Sequence, residues 1–122
     1  MTVWVYLATM VAGGLASMAR YGVTLFFGRY KNMQWGVFVV NVIGSAIGGA
    51  VVGMTATGQI NPELRLVILG GVAGGLTTFS TWSVETLQLI KDRRWRTALV
   101  SVSLNLFVGL AAATSAYLIV TA

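Results

Sequence analysis

The chain has 122 residues, of which 57% are hydrophobic and only 9% charged. A soluble domain carries about a quarter charged residues, so this composition excludes an ordinary water-soluble fold and points to a single integral membrane domain over residues 1–122. Cysteine and histidine are both absent, which removes disulfides, thiol chemistry, zinc sites built on those residues and any Ser-His-Asp or Cys-His arrangement, and the net charge of +5 lies in loops rather than in a nucleic-acid-binding stripe.

Four apolar segments follow in chain order. The first covers residues 3–27 and holds one ionisable residue, Arg20. The start lacks a charged n-region and a small-residue cleavage site, so it is expected to be the first helix rather than a signal peptide. The second segment covers 35–54. The third covers 66–90 and is interrupted near its middle, and the fourth covers 97–120. Each is long enough for the roughly 20 helical residues that cross a bilayer core, and a lipid-exposed backbone has few alternatives to helix. The expected fold is therefore all-α, with four transmembrane helices.

Short connections join them. Residues 28–34 carry Arg29, Lys31 and Asn32, residues 55–65 carry the only proline, Pro62, and residues 91–96 read Lys-Asp-Arg-Arg-Trp-Arg. The first and third loops share one side and hold Arg29, Lys31, Lys91, Arg93, Arg94 and Arg96. The other side holds Arg65 and both termini. The positive-inside rule then puts both termini outside the cytoplasm.

Glycine is abundant and patterned. Gly44/Gly48, Gly49/Gly53, Gly70/Gly74 and Gly71/Gly75 have the small-xxx-small spacing that lets helices approach closely in lipid. The third segment, from Gly70 through Ser83, concentrates glycine and hydroxyl residues at mid-membrane depth. Glycine weakens helix, and Thr and Ser offer competing local hydrogen bonds. Two readings fit these residues: a helix break that turns main-chain groups toward an ion, or a small-residue packing face. Phe79 and Trp82, three apart, share a helix face, either as plain packing or as ring edges with the positive polarity that suits an anion.

Few polar residues lie within the spans. Arg20 either snorkels to the interface or raises the potential at a vestibule. Glu85 either pairs with a loop base or lines a pore mouth. Asn41 and Asn105 either bridge helices or donate N–H to a dehydrated anion. No acid lies in the first, second or fourth span, which argues against a proton-coupled four-span multidrug exporter, the main rival reading. No nucleophile and base are paired, so an enzyme is not expected.

The motif Gly13-Gly14-Leu15-Ala16-Ser17-Met18-Ala19-Arg20-Tyr21 resembles the first-helix pattern of the small fluoride channels known as the Fluc or CrcB family. Val40-Asn41-Val42-Ile43-Gly44-Ser45 resembles the second-helix pattern. The run from Gly74 to Glu85, Gly-Gly-Leu-Thr-Thr-Phe-Ser-Thr-Trp-Ser-Val-Glu, resembles the long signature of the third. The resemblance implies an antiparallel dimer in the cell membrane, with two fluoride pores at the subunit boundary and a third helix broken at mid-membrane. It implies a structural sodium ion held by the main-chain carbonyls of Gly74 and Thr77. It maps the pore-facing residues to Asn41, Phe79 and Trp82, with Ser80 and Thr81 in the same hydroxyl track, the vestibule arginine to Arg20 and the third-helix glutamate to Glu85. Thr78 and Phe79 would face a cavity formed only between two chains.

This sequence departs from the family pattern in two ways. Trp82 stands where the family has phenylalanine. The loop bases are unbalanced, whereas a chain that inserts in both directions should have nearly balanced loops. The partner is thus a second copy or an oppositely inserted sibling chain.

Overall fold

The computed structural model describes residues 2–27, 35–77 and 79–122, apart from the side chains of Phe79, Ser80, Thr81 and Glu85. The loop expected at 28–34 and the residue Thr78 lie outside the described residues. The described chain is almost entirely helical, and no strand occurs within it.

Helix α1 runs over Val3–Phe27 and α2 over Trp35–Ala56. The third segment starts earlier than expected, with α3 over Pro62–Arg65. Asn61 fixes that start: its side chain accepts from the backbone N–H of Leu64 at 2.8 Å. Pro62 follows at the first helical position, where its missing N–H is harmless, and Glu63 sits favourably in the first turn. The chain continues as a π-helical stretch, Leu66–Ala73, and then α4, Gly74–Leu76. Helix resumes as α5, Phe79–Lys91. The last segment comprises α6 (Trp95–Ser103), a π-helical stretch at Leu104–Val108, and α7 (Gly109–Thr121).

Among the described residues, α1, α2 and the continuous run Trp95–Thr121 are long and apolar enough to cross a membrane. The third segment is divided, and neither of its helical runs alone reaches the roughly 20 residues a crossing needs.

Two turns end their helices in the same way. After α2, Gly58 takes a left-handed conformation (φ 74°), and the N–H of Gln59 reaches back to the Met54 carbonyl at 2.8 Å. After α5, Arg93 takes that conformation (φ 60°), and the N–H of Arg94 bonds to the Leu89 carbonyl at 2.8 Å. Both are Schellman closures, which satisfy carbonyls that the helix end would leave bare. The second places a charged residue where glycine is the usual choice.

Helix α2 is the centre of the packing. Val37, Val40, Gly44 and Val51 are buried along one face at helical spacing. Val40, fully buried, meets Ala16 of α1 and Leu76 of α4 in the core. By contrast, α1 buries only Val5 and Ala16, and its large apolar side chains, including Trp4 at 77% and Phe26 at 84% exposed, face outward.

Close backbone approach decides where the helices touch. A Cβ at Gly49 would run into the carbonyl group of Ala113 on α7. One at Gly75 would run into the Gly13 carbonyl on α1, and one at Gly71 would lie 2.8 Å from the Thr9 carbonyl. The pairs Gly49/Gly53 and Gly71/Gly75 thus serve the close packing that their spacing suggests.

Gly49→Ala is expected to lower stability by about 1–3 kcal/mol, because the obstructing atoms are backbone and cannot step aside. Gly48→Ala is the matched control, since its Cβ would meet only the Leu69 side chain at 3.6 Å. Thermal unfolding in detergent should separate the two, with the lower midpoint for Gly49→Ala.

Candidate ion-conduction site

Helix stops at Leu76 and starts again at Phe79, and Thr77 between them is extended (φ −80°, ψ 153°). The carbonyls at such an end have no partners from the helix ladder. In a hydrocarbon setting each would cost several kcal/mol if left bare.

Side chains supply the partners. Ser17 Oγ donates to the Gly75 carbonyl at 3.3 Å. Arg20 Nη1 donates to the Thr77 carbonyl at 3.2 Å. The Ala73 carbonyl accepts from both the N–H and the Oγ1 of Thr77, at 3.1 and 3.0 Å. Ser17 and Arg20 are three residues apart and so share one face of α1. The close approach of α1 at Gly13 and Gly75 lets the short serine side chain reach across.

Arg20 therefore has a partner that neither sequence reading named. Its guanidinium turns toward the interruption and binds a main-chain oxygen of the third segment. Ser17 was not assigned a role from sequence. Its position one turn before Arg20 is the signal that would have found it.

A second polar group joins α2 to the last segment. Asn41 Nδ2 donates to Asn105 Oδ1 at 3.1 Å, and Asn105 Nδ2 donates to the Ser101 carbonyl at 2.8 Å. Asn105 belongs to the π-helical stretch Leu104–Val108. Wide turns of this kind occur often at functional positions. Asn105 also lines an open cavity of about 620 Å³, together with Ser45, Gly48, Gly49, Thr114 and Tyr117.

Trp82 is half-buried on α5, and its carbonyl accepts from Thr86 Oγ1 at 2.8 Å. The side chains of Phe79, Ser80, Thr81 and Glu85 lie outside the described residues. Two interruption-centred contacts, those of Ser17 and Arg20, and one amide pair are thus what the described side chains bring together.

The interruption carries the kind of oxygen donor that a small monovalent cation takes. Main-chain carbonyls are hard oxygen donors, and unwound carbonyls and half-helix ends are known to coordinate such ions. Gly74 lies in the last helical turn, where carbonyls lack ladder partners, and Thr77 lies outside the helices. A carbonyl oxygen has two lone pairs, so Arg20 leaves Thr77 able to accept once more.

Comparison with known proteins gives a consistent result. The family model described as "CrcB-like protein, Camphor Resistance (CrcB)" matches residues 7–117. A Shewanella sp. (strain W3-18-1) protein named "Fluoride-specific ion channel FluC" is 38% identical over 104 residues, covering 82% of each chain. One of the same name from Paraburkholderia xenovorans (strain LB400) is 43% identical over 94 residues, covering 75% of this chain and 74% of the relative. Another, from Phocaeicola vulgatus, is 40% identical over 88 residues, covering 70% and 73%.

Arg20→Met should cost about 1–3 kcal/mol, the worth of a hydrogen bond from a charged donor to a half-buried carbonyl. Arg20→Lys keeps a donor and should recover part of that loss. Ser17→Ala should cost about 0.5–1.5 kcal/mol, the net worth of a neutral hydrogen bond. Thermal midpoints in detergent give the order wild type, Ser17→Ala, Arg20→Met, with Arg20→Lys above Arg20→Met.

Proposed function

Since this chain belongs to the CrcB family of fluoride-specific ion channels, we propose that it is a membrane channel that passes fluoride passively out of the cytoplasm. The observation that carries this reading is the family match over residues 7–117, which includes every residue of the three motifs. The divided third segment, with side-chain donors gathered on its main-chain carbonyls, supports it physically.

The task is to move a small, strongly hydrated anion through hydrocarbon. An isolated ion costs tens of kcal/mol to desolvate in a Born estimate. A conducting path must replace water with donors and positive ring edges, yet hold the ion weakly enough to release it. Asn41, the hydroxyls of Ser80 and Thr81, and the ring edges of Phe79 and Trp82 form that substitute shell. Glu85 lies along the same helix as Phe79 and Trp82. Arg20 adds positive potential beside the interruption and holds the Thr77 carbonyl.

Four crossings, the third broken at mid-membrane, complete the subunit. Two antiparallel subunits enclose two pores, because a single bundle of this size cannot hold a wide polar path and still pack its core. Gly74 and Thr77 would hold a sodium ion through their main-chain carbonyls. When bound, the ion supplies a fixed positive charge that offsets the repulsion between anions and pins the two interrupted helices. The setting is a multi-pass protein of the plasma membrane. Fluoride that enters as the neutral acid and ionises inside would leave by this path down its electrochemical gradient.

The loop charges favour one orientation, so the second subunit is either another copy or an oppositely inserted sibling. Proteoliposomes made from this chain alone and read with a fluoride-selective electrode test the reading. Efflux is expected for a self-sufficient dimer, and efflux that appears only on adding a co-encoded sibling identifies a heterodimer. Silence in both preparations would sink the channel reading. Trp82→Phe should speed efflux, because the smaller ring widens the path.

A further inference from the structure

We infer that Asn105 is a positioning residue for anion passage: it turns the amide of Asn41 so that its nitrogen end faces the fourth segment. The inference rests on the channel reading above for its functional meaning, and on local chemistry for its geometry.

The argument runs from a group that can act in only one way. The Ser101 carbonyl accepts and never donates. The Asn105 amide atom 2.8 Å from it must therefore be the nitrogen, which leaves Asn105 Oδ1 pointing toward α2. An oxygen there requires a donor, so the Asn41 atom 3.1 Å away must also be nitrogen. A main-chain carbonyl thus sets the sense of two side-chain amides in sequence. Asn105 Oδ1 takes one hydrogen of the Asn41 NH₂ group, so the amide is held in one sense, with its nitrogen end and not its carbonyl oxygen turned to the fourth segment.

The backbone helps to make this possible. Helix α6 gives way at Leu104 to the π-helical stretch that carries Asn105. There the N–H of Leu104 is shared between the carbonyls of Ser101 and Val100. The Asn105 side chain adds a bond to the Ser101 carbonyl four residues back. Ser101 itself is buried, at 7% exposure, so its polar groups have little access to outside partners. The pair spans 64 residues of sequence and links the most buried crossing helix to the last segment.

The test uses Asn105→Ser. A serine hydroxyl can still bond to the carbonyl four residues back, as such side chains commonly do in helices. It is too short to reach Asn41. Asn41→Ala and the double variant complete a cycle, each in proteoliposomes with the partner chain the wild type requires. Asn105→Ser is expected to slow fluoride efflux roughly tenfold, by analogy with the loss that follows when a metal ligand is deprived of its orienting partner. The double variant should be no slower than Asn41→Ala alone, because Asn105 acts through Asn41. Efflux from Asn105→Ser within about twofold of wild type, or losses that multiply in the double variant, would overturn the inference.

A second readout does not depend on conduction. In protein labelled with ¹⁵N-asparagine, the side-chain NH₂ resonances of Asn41 should move on Asn105→Ser. Unchanged resonances would overturn the proposed orientation. If the wild type itself passes no fluoride, the channel reading fails, and these resonances still decide whether Asn105 orients Asn41.

Discussion

The main-chain carbonyls around Thr77 need partners, and that need shapes the packing of the described chain. Hydrocarbon offers none, so a chain that leaves the helical path inside a membrane must bring its own. Ser17 and Arg20 supply donors to two of these carbonyls, those of Gly75 and Thr77. Each such bond contributes only about 1 kcal/mol net, yet an unpaired buried carbonyl costs about 1–3 kcal/mol. The penalty avoided therefore matters more than the attraction gained.

Packing has to serve this supply. Serine is short, so α1 must lie almost against the third segment, and the meeting of Gly13 with Gly71 and Gly75 permits it. Arginine is long and charged, and its placement on a main-chain oxygen gives the only charged residue of α1 a defined role. On the other side, α2 packs against α7 through Gly49 and Gly53, which brings Asn41 within reach of the last segment. Small residues set the distances, and the few polar residues are placed by them.

Much of this was legible in the residues. The first helix spans residues 3–27 as its apolar run implies, and its glycines and hydroxyl residues do not interrupt it: Thr9 and Thr24 turn their hydroxyls onto carbonyls four residues back within the helix. Helix ends at Leu76, where glycine gives way to threonine and both residue types weaken the helical ladder; that this place is a mid-membrane break is part of the proposed function. The early start at Pro62 was missed because the proline read as loop. Asn-Pro before an apolar run is itself a helix-start signal. The two π-helical stretches left no mark, because no residue type demands an extra residue per turn. The partner of Arg20 lies 57 residues away, and only the fold decides which of several oxygens a flexible side chain finds. Asn41 and Asn105 were seen as amides that bridge helices or donate to an anion, and the bridge between them is present.

The wide turn at Leu104–Val108 has an implication for chain length. A turn closed by i→i+5 bonds accommodates one residue more than an α-turn while the flanking helices keep their faces. The last segment thus behaves as a rod with an inserted residue absorbed in place, like a splice whose slack has been put to use. Excising one residue there would let the rod close into uniform α-helix, with α7 still presenting Ala113 to Gly49. The side chain now bonded to Ser101 would swing off its bearing, so the same packing would survive with a different polar lining.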